Sequence, residues 1–132
     1  MHRRAFIAGL TTLALPSMAA AYPSVPYVEA TWPDLRDTTD KIVLNWRATW
    51  SLTCQIKQDL ITDLIAQNPD YAQLTFVDVD WDTFGPSVWA QRLKVERRST
   101  LIALRGKQEI TRIVNEPYER QMKRFLDAAL TA

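Results

Sequence analysis

At residue 51 the apolar period of this chain changes from that of a covered strand to that of a helix. Lys41-Ile42-Val43-Leu44-Asn45-Trp46 is a compact apolar run, the pattern of a strand buried on both faces. Between Ser51 and Gln67, Leu52, Ile56, Leu60 and Leu64 fall four apart and are joined by Ile61 and Ile65, whereas Lys57, Asp59 and Asp63 lie off that stripe. This spacing predicts an amphipathic helix. Asn68-Pro69-Asp70 ends it, because the residue before a proline avoids helical backbone.

The other elements follow from the same two periods. Leu74 to Val79 reads as a second strand, and Thr83-Phe84-Gly85-Pro86-Ser87 opens a helix that runs to about Leu93. Thr100 to Leu104 and Glu109 to Val114 are strands joined by a turn at Arg105-Gly106-Lys107. A last helix starts with Asn115 as N-cap and Pro117 in its first turn, with an apolar stripe of Tyr118, Met122, Phe125, Leu126 and Ala129. Upstream, residues 22–40 form a proline- and aromatic-rich N-terminal arm, with a short strand expected at Val28 to Thr31 and a short helix from Pro33. The order strand, helix, strand, helix, strand, strand, helix implies an α/β fold. Its mixed central sheet has about four to five strands, with helices on both faces and one domain over 41–132.

Residues 1–21 read as an export signal. Arg3 and Arg4 make a short basic start, Ala5 to Leu15 is largely apolar, and Ala19-Ala20-Ala21 offers a small-residue cleavage site before Tyr22. The pair Arg3-Arg4 also resembles a twin-arginine signal. The expected location is periplasmic or otherwise exported, with no transmembrane segment after cleavage. Removing Arg3 and Arg4 from sixteen basic residues leaves fourteen against fifteen acidic ones, a near balance that argues against a nucleic-acid partner. Cleavage would also remove His2, the only histidine, and with it any Ser-His-Asp or Cys-His nucleophile. No metal and no cofactor are expected. Asp78-Val79-Asp80-Trp81-Asp82 has carboxylates on alternate positions, but Thr83 and Trp89 stand where a calcium loop needs glycine and glutamate.

The chain has one cysteine, Cys54, three positions after Ser51 and therefore at the spacing of a redox pair with oxygen in place of the first sulfur. In an exported protein an odd cysteine is either buried and inert or a thiol that reacts with a partner. The stretch R-A-T-W-S-L-T-C-Q, residues 47–55, resembles the W-C-x-x-C region of thioredoxin-like domains. Its Leu-Thr core is closer to domains of transmembrane disulfide-reductase systems than to the Gly-Pro of cytosolic thioredoxin. Val77-Asp78-Val79-Asp80, Gly106-Lys107 and Arg124-Phe125-Leu126-Asp127 also fall where that family has similar segments.

The resemblance, over roughly Lys41 to Leu130, implies a thioredoxin fold. It implies a recognition surface of Trp50, Ser51, Cys54 and the Arg98-Ser99-Thr100 loop, and a partner that is a protein thiol or disulfide or an extended peptide. Three positions depart from the family: Ser51 replaces the attacking cysteine, Asn45 a buried aspartate, and Ser99 a cis-proline. A non-proline cis bond costs about 3–4 kcal/mol, so Arg98–Ser99 is expected trans in a reshaped loop. A serine hydroxyl forms no disulfide, so two-cysteine turnover is not possible with Ser51, which is expected to cap the helix instead. Three functions remain open: an exported mono-thiol that forms mixed disulfides through Cys54, a redox-silent peptide- or protein-binding module, and a variant of an active oxidoreductase with W-C-L-T-C-Q. Arg47, Arg97 and Arg98 are the cations expected near the junction, where positive charge favours thiolate.

Overall fold

A computed structural model describes residues 22–132; the predicted export segment, 1–21, lies outside the described residues. In chain order the elements are β1 (Ser24–Pro26), α1 (Trp32–Thr38), β2 (Ile42–Arg47), α2 (Leu52–Gln67), a 3-10 turn (Pro69–Gln73), β3 (Thr75–Asp80), α3 (Trp81–Phe84), α4 (Val88–Leu93), β4 (Thr100–Arg105), β5 (Gln108–Val114) and α5 (Glu119–Thr131). They build one mixed sheet in the order β1-β3-β2-β4-β5. β3 runs parallel to both β1 and β2, whereas β4 is antiparallel to β2 and to β5.

Strand alternation splits the core in two. Val43, Phe76, Leu101 and Ala103 face α2 and α5, which close over them with Ile61, Leu64, Met122, Phe125, Leu126 and Ala129. Ile42, Leu44, Trp46, Val77, Val79, Ile102 and Leu104 face the other side, covered by Trp32 of α1 and Ala90 of α4. There Trp89 stacks on Tyr27 at 4.4 Å and leans on Trp46 at 4.9 Å between ring centroids.

Four expectations are corrected. The arm's strand is Ser24–Pro26, and Val28 to Thr31 is a turn closed by Thr31 N–H to Val28 O at 3.1 Å. Pro26 is tolerated because β1 is an edge strand. The helix expected over 83–93 is two short ones, because Gly85-Pro86 ends α3 and Ser87 restarts the chain, its Oγ accepting from Ala90 N–H at 3.1 Å. A side chain at position 85 would meet the Trp81 carbonyl at 2.6 Å, so only glycine fits there.

Asn115 does not cap the last helix. It adopts a left-handed φ of 52°, Pro117 keeps Glu116 out of helical backbone, and α5 begins after Tyr118. Finally, the buried face of α2 is Cys54, Lys57, Ile61 and Leu64, while Leu52 is 74 % exposed. A strict four-residue repeat drifts about 40° per step around a helix of 3.6 residues per turn, whereas spacings of three, four and three stay on one face.

This assignment separates two substitutions on α2. Ile61→Ala is expected to lower stability in urea unfolding by about 2–5 kcal/mol. Leu52→Ala is expected to change it by less than about 0.5 kcal/mol.

Candidate functional site

Where β2 hands over to α2, the chain turns at Ser51 in extended backbone (φ −93°, ψ 122°), and its Oγ accepts from the Cys54 backbone N–H at 3.3 Å. The Ser51 hydroxyl oxygen thus starts the helix, in a bond worth about 1 kcal/mol. Arg98, in the loop before β4, donates from Nε to the same Oγ at 3.4 Å. Its guanidinium lies over the Trp50 ring, 4.8 Å from the centroid, in a cation–π contact. Trp50 Nε1 donates to Asp82 at 3.0 Å, so the ring is held from two sides while 61 % exposed. Cys54, in the first turn of α2, is a free thiol and only 2 % exposed.

The 98–100 loop meets this helix start. Every peptide bond among the described residues is trans, Arg98–Ser99 included, and the loop is reshaped around a left-handed Ser99 (φ 63°). Ser99 is fully buried. Its N–H donates to Trp46 O at 2.7 Å, its carbonyl accepts from Asn115 N–H at 2.9 Å and from Lys57 Nζ, and its Oγ has no partner. Thr100 is buried too, and its Oγ1 donates to Arg97 O at 2.7 Å, which closes the bend. Trp50, Ser51, Arg98, Ser99 and Thr100 are therefore brought to one end of the sheet with Cys54. Of the three arginines, Arg98 reaches the junction; Arg97 is exposed and Arg47 turns to Asp78 at 3.5 Å.

Asn45 is 2 % exposed on β2, opposite Asp78 of β3. Its Nδ2 donates to Tyr22 Oη at 3.2 Å and to Asp78 Oδ1 at 3.4 Å, while Tyr22 Oη and Ser24 Oγ both donate to Asp78. Burial first, then the Asp78 charge, push the Tyr22 phenol far above its ordinary value. The three alternating aspartates have separate tasks: Asp78 holds this cluster, Asp80 caps α3 through Thr83 N–H at 3.1 Å, and Asp82 holds Trp50. Among the described residues no group of three or more His, Cys, Asp or Glu is placed to hold a metal ion, and no helix is long and apolar enough to cross a membrane.

Sequence reasoning missed Lys57, which lies off the apolar stripe expected for α2. The side chain is 0 % exposed and its Nζ donates to the Ser99 carbonyl. Burial drives the amine down to about 8, against a smaller upward pull from Cys54 and Glu116. The signal was available: counted from Cys54, the spacing to Lys57, Ile61 and Leu64 is that of one helix face.

The same architecture occurs in solved proteins. The structure of Trxlp from Edwardsiella tarda EIB202 is 27 % identical over 78 % of this chain and 98 % of its own, with a TM-score of 0.67. Mitochondrial thioredoxin 3 from Saccharomyces cerevisiae is 23 % identical, covering 79 % of this chain and 93 % of its own at a TM-score of 0.63. The thioredoxin of Malassezia sympodialis is 17 % identical, with 82 % and 94 % covered and a TM-score of 0.66. No protein-family model and no curated protein matches the sequence.

The buried amine has a pH signature. Folded Lys57 gives up its proton near pH 8 and the unfolded side chain near 10.5. Below pH 8 both states carry the proton; between the two values the unfolded chain binds more, so stability rises with pH. Urea unfolding is expected to show this rise, of at most about 3 kcal/mol, and Lys57→Met is expected to abolish it. Above about pH 10 Tyr22 acts in the opposite sense, because its folded phenol keeps a proton that the unfolded one loses.

Proposed function

Starting from a thioredoxin-like chain with one sulfur in its motif, we propose that the protein takes part in thiol-disulfide exchange as a mono-thiol. Cys54 forms a mixed disulfide with a protein partner docked on Trp50 and the Arg98-Ser99-Thr100 loop. The observation that carries this reading is the Ser51 cap: oxygen fills the first sulfur's position and is committed to the helix start. In the exchange, the Cys54 sulfur attacks one sulfur of the partner's disulfide, that S–S bond breaks, and the departing sulfur takes up a proton. With no second thiol in the chain, a thiol from outside must resolve the mixed species. Export belongs to the same proposal, supported by the leader pattern at 1–21.

A second reading is favoured by one observation, the burial of Cys54. In it the sulfur stays inert and the exposed Trp50 and Leu52, with the loop, hold an extended peptide in a redox-silent binding module. Glutathione disulfide is small enough to decide between them. Intact-mass analysis is expected to show one glutathione adduct on the native chain and none on Cys54→Ala. A native chain that takes no adduct, when the urea-unfolded chain takes one, would defeat the mono-thiol reading and favour the binding module. Independently, Ser51→Cys is expected to confer dithiothreitol-driven insulin reduction; absence of turnover would locate the deficit at Asn45 and Ser99.

A further inference from the structure

We propose that Lys57 is the proton partner of Cys54, a positioning residue that acts through the thiol, so that one proton is shared between a buried amine and a buried sulfur. The inference rests on the mono-thiol reading above and adds to it the group that manages the sulfur's proton.

Three observations carry it. Cys54 and Lys57 are three residues apart on α2, the spacing at which helical side chains are neighbours, and both lie on its buried face. No ion pair among the described residues includes Lys57, and its hydrogen bond goes to a neutral carbonyl, that of Ser99. A buried ammonium without a counter-ion is costly, and it is relieved either by losing its proton or by gaining an anion beside it.

The third observation is the inventory of charge around the amine. Cys54 lies on its own helix, Glu116 is an exposed residue beyond β5, and Arg98 precedes Ser99 in the facing loop with its guanidinium turned to Ser51 and Trp50. Glu116 is screened by water, and Arg98 can supply no negative charge. Asn45 does not ionise, and its neighbour Asp78 is engaged by Tyr22, Ser24 and Arg47. Cys54 is the buried group left to give Lys57 an anion.

In the exchange the thiol-amine and thiolate-ammonium forms differ only in where one proton sits. The proton leaves Sγ for Nζ, the sulfur attacks the partner's disulfide, and the departing sulfur takes a proton as that bond breaks. The sulfur of Cys54 is oxidised to the mixed disulfide and the departing sulfur is reduced to a thiol, so electrons and protons balance.

The single cysteine makes the test direct. In the full chain labelled with 13C at cysteine Cβ, one signal reports the thiol's titration. Lys57→Met is expected to raise that midpoint by about one pH unit. It should slow glutathione adduct formation at neutral pH by about three-fold, because thiolate lost is partly offset by greater nucleophilicity. Lys57→Arg is expected to keep the midpoint near that of the unaltered chain. By reciprocity, Cys54→Ala should lower the midpoint of a 13Cε signal from Lys57 by the same amount. Equal Cys54 midpoints with and without the amine, or a Lys57 midpoint indifferent to Cys54→Ala, would overturn the pairing; the second measurement decides alone where Lys57→Met does not fold. Coupled titrations without any glutathione adduct would uphold the pairing and defeat the mono-thiol reading.

Discussion

Three hydrogen bonds converge on the backbone of Ser99, and the geometry of the whole junction follows from them. Its N–H is held by Trp46 at the end of β2, and its carbonyl by Asn115 after β5 and by Lys57 from α2. A serine at φ 63° carries strain of order 1–3 kcal/mol, which persists only where the surroundings fix it this firmly. The bend brings Arg98 across the helix start, where it meets Ser51 and Trp50 together.

Lys57 is the least expected member of that arrangement, since a fully buried lysine forgoes most of its hydration. Its four-carbon stem packs on the same face as Ile61 and Leu64, and its nitrogen ends on a carbonyl that the left-handed bend turns toward it. The arrangement stabilises the loop through a charge-assisted hydrogen bond while leaving the amine short of a counter-ion. Under the proposed pairing with Cys54, stability and chemistry are linked in one side chain, because the group that holds the loop also answers to the sulfur.

Much of the fold was legible because it rests on apolar periodicity. The β2 run and the order of strands and helices were readable from residue types alone, and the W-S-L-T-C stretch marked the junction correctly. What escaped depended on position in three dimensions. The face of α2 was misjudged because Leu52 and Ile56 are apolar yet lie beyond the sheet's cover, whereas Lys57, charged, faces the core. Asn115 was assigned a cap because its residue type suits one, but the left-handed backbone that joins β5 to Ser99 used it differently. The partnership of Trp50 with Asp82 links residues 32 apart, which no local pattern encodes.

The Ser51 cap also changes how this molecule can record oxidation. A dithiol relative can close a ring within itself, so its oxidised fraction is independent of how much protein is present. Here any disulfide must join two molecules, because the sequence holds a single cysteine. Under the mono-thiol function proposed above, the oxidised population would obey mass action, growing with partner abundance and dispersing on dilution in the presence of a free thiol. On that proposal, its redox state is a property of the company it keeps.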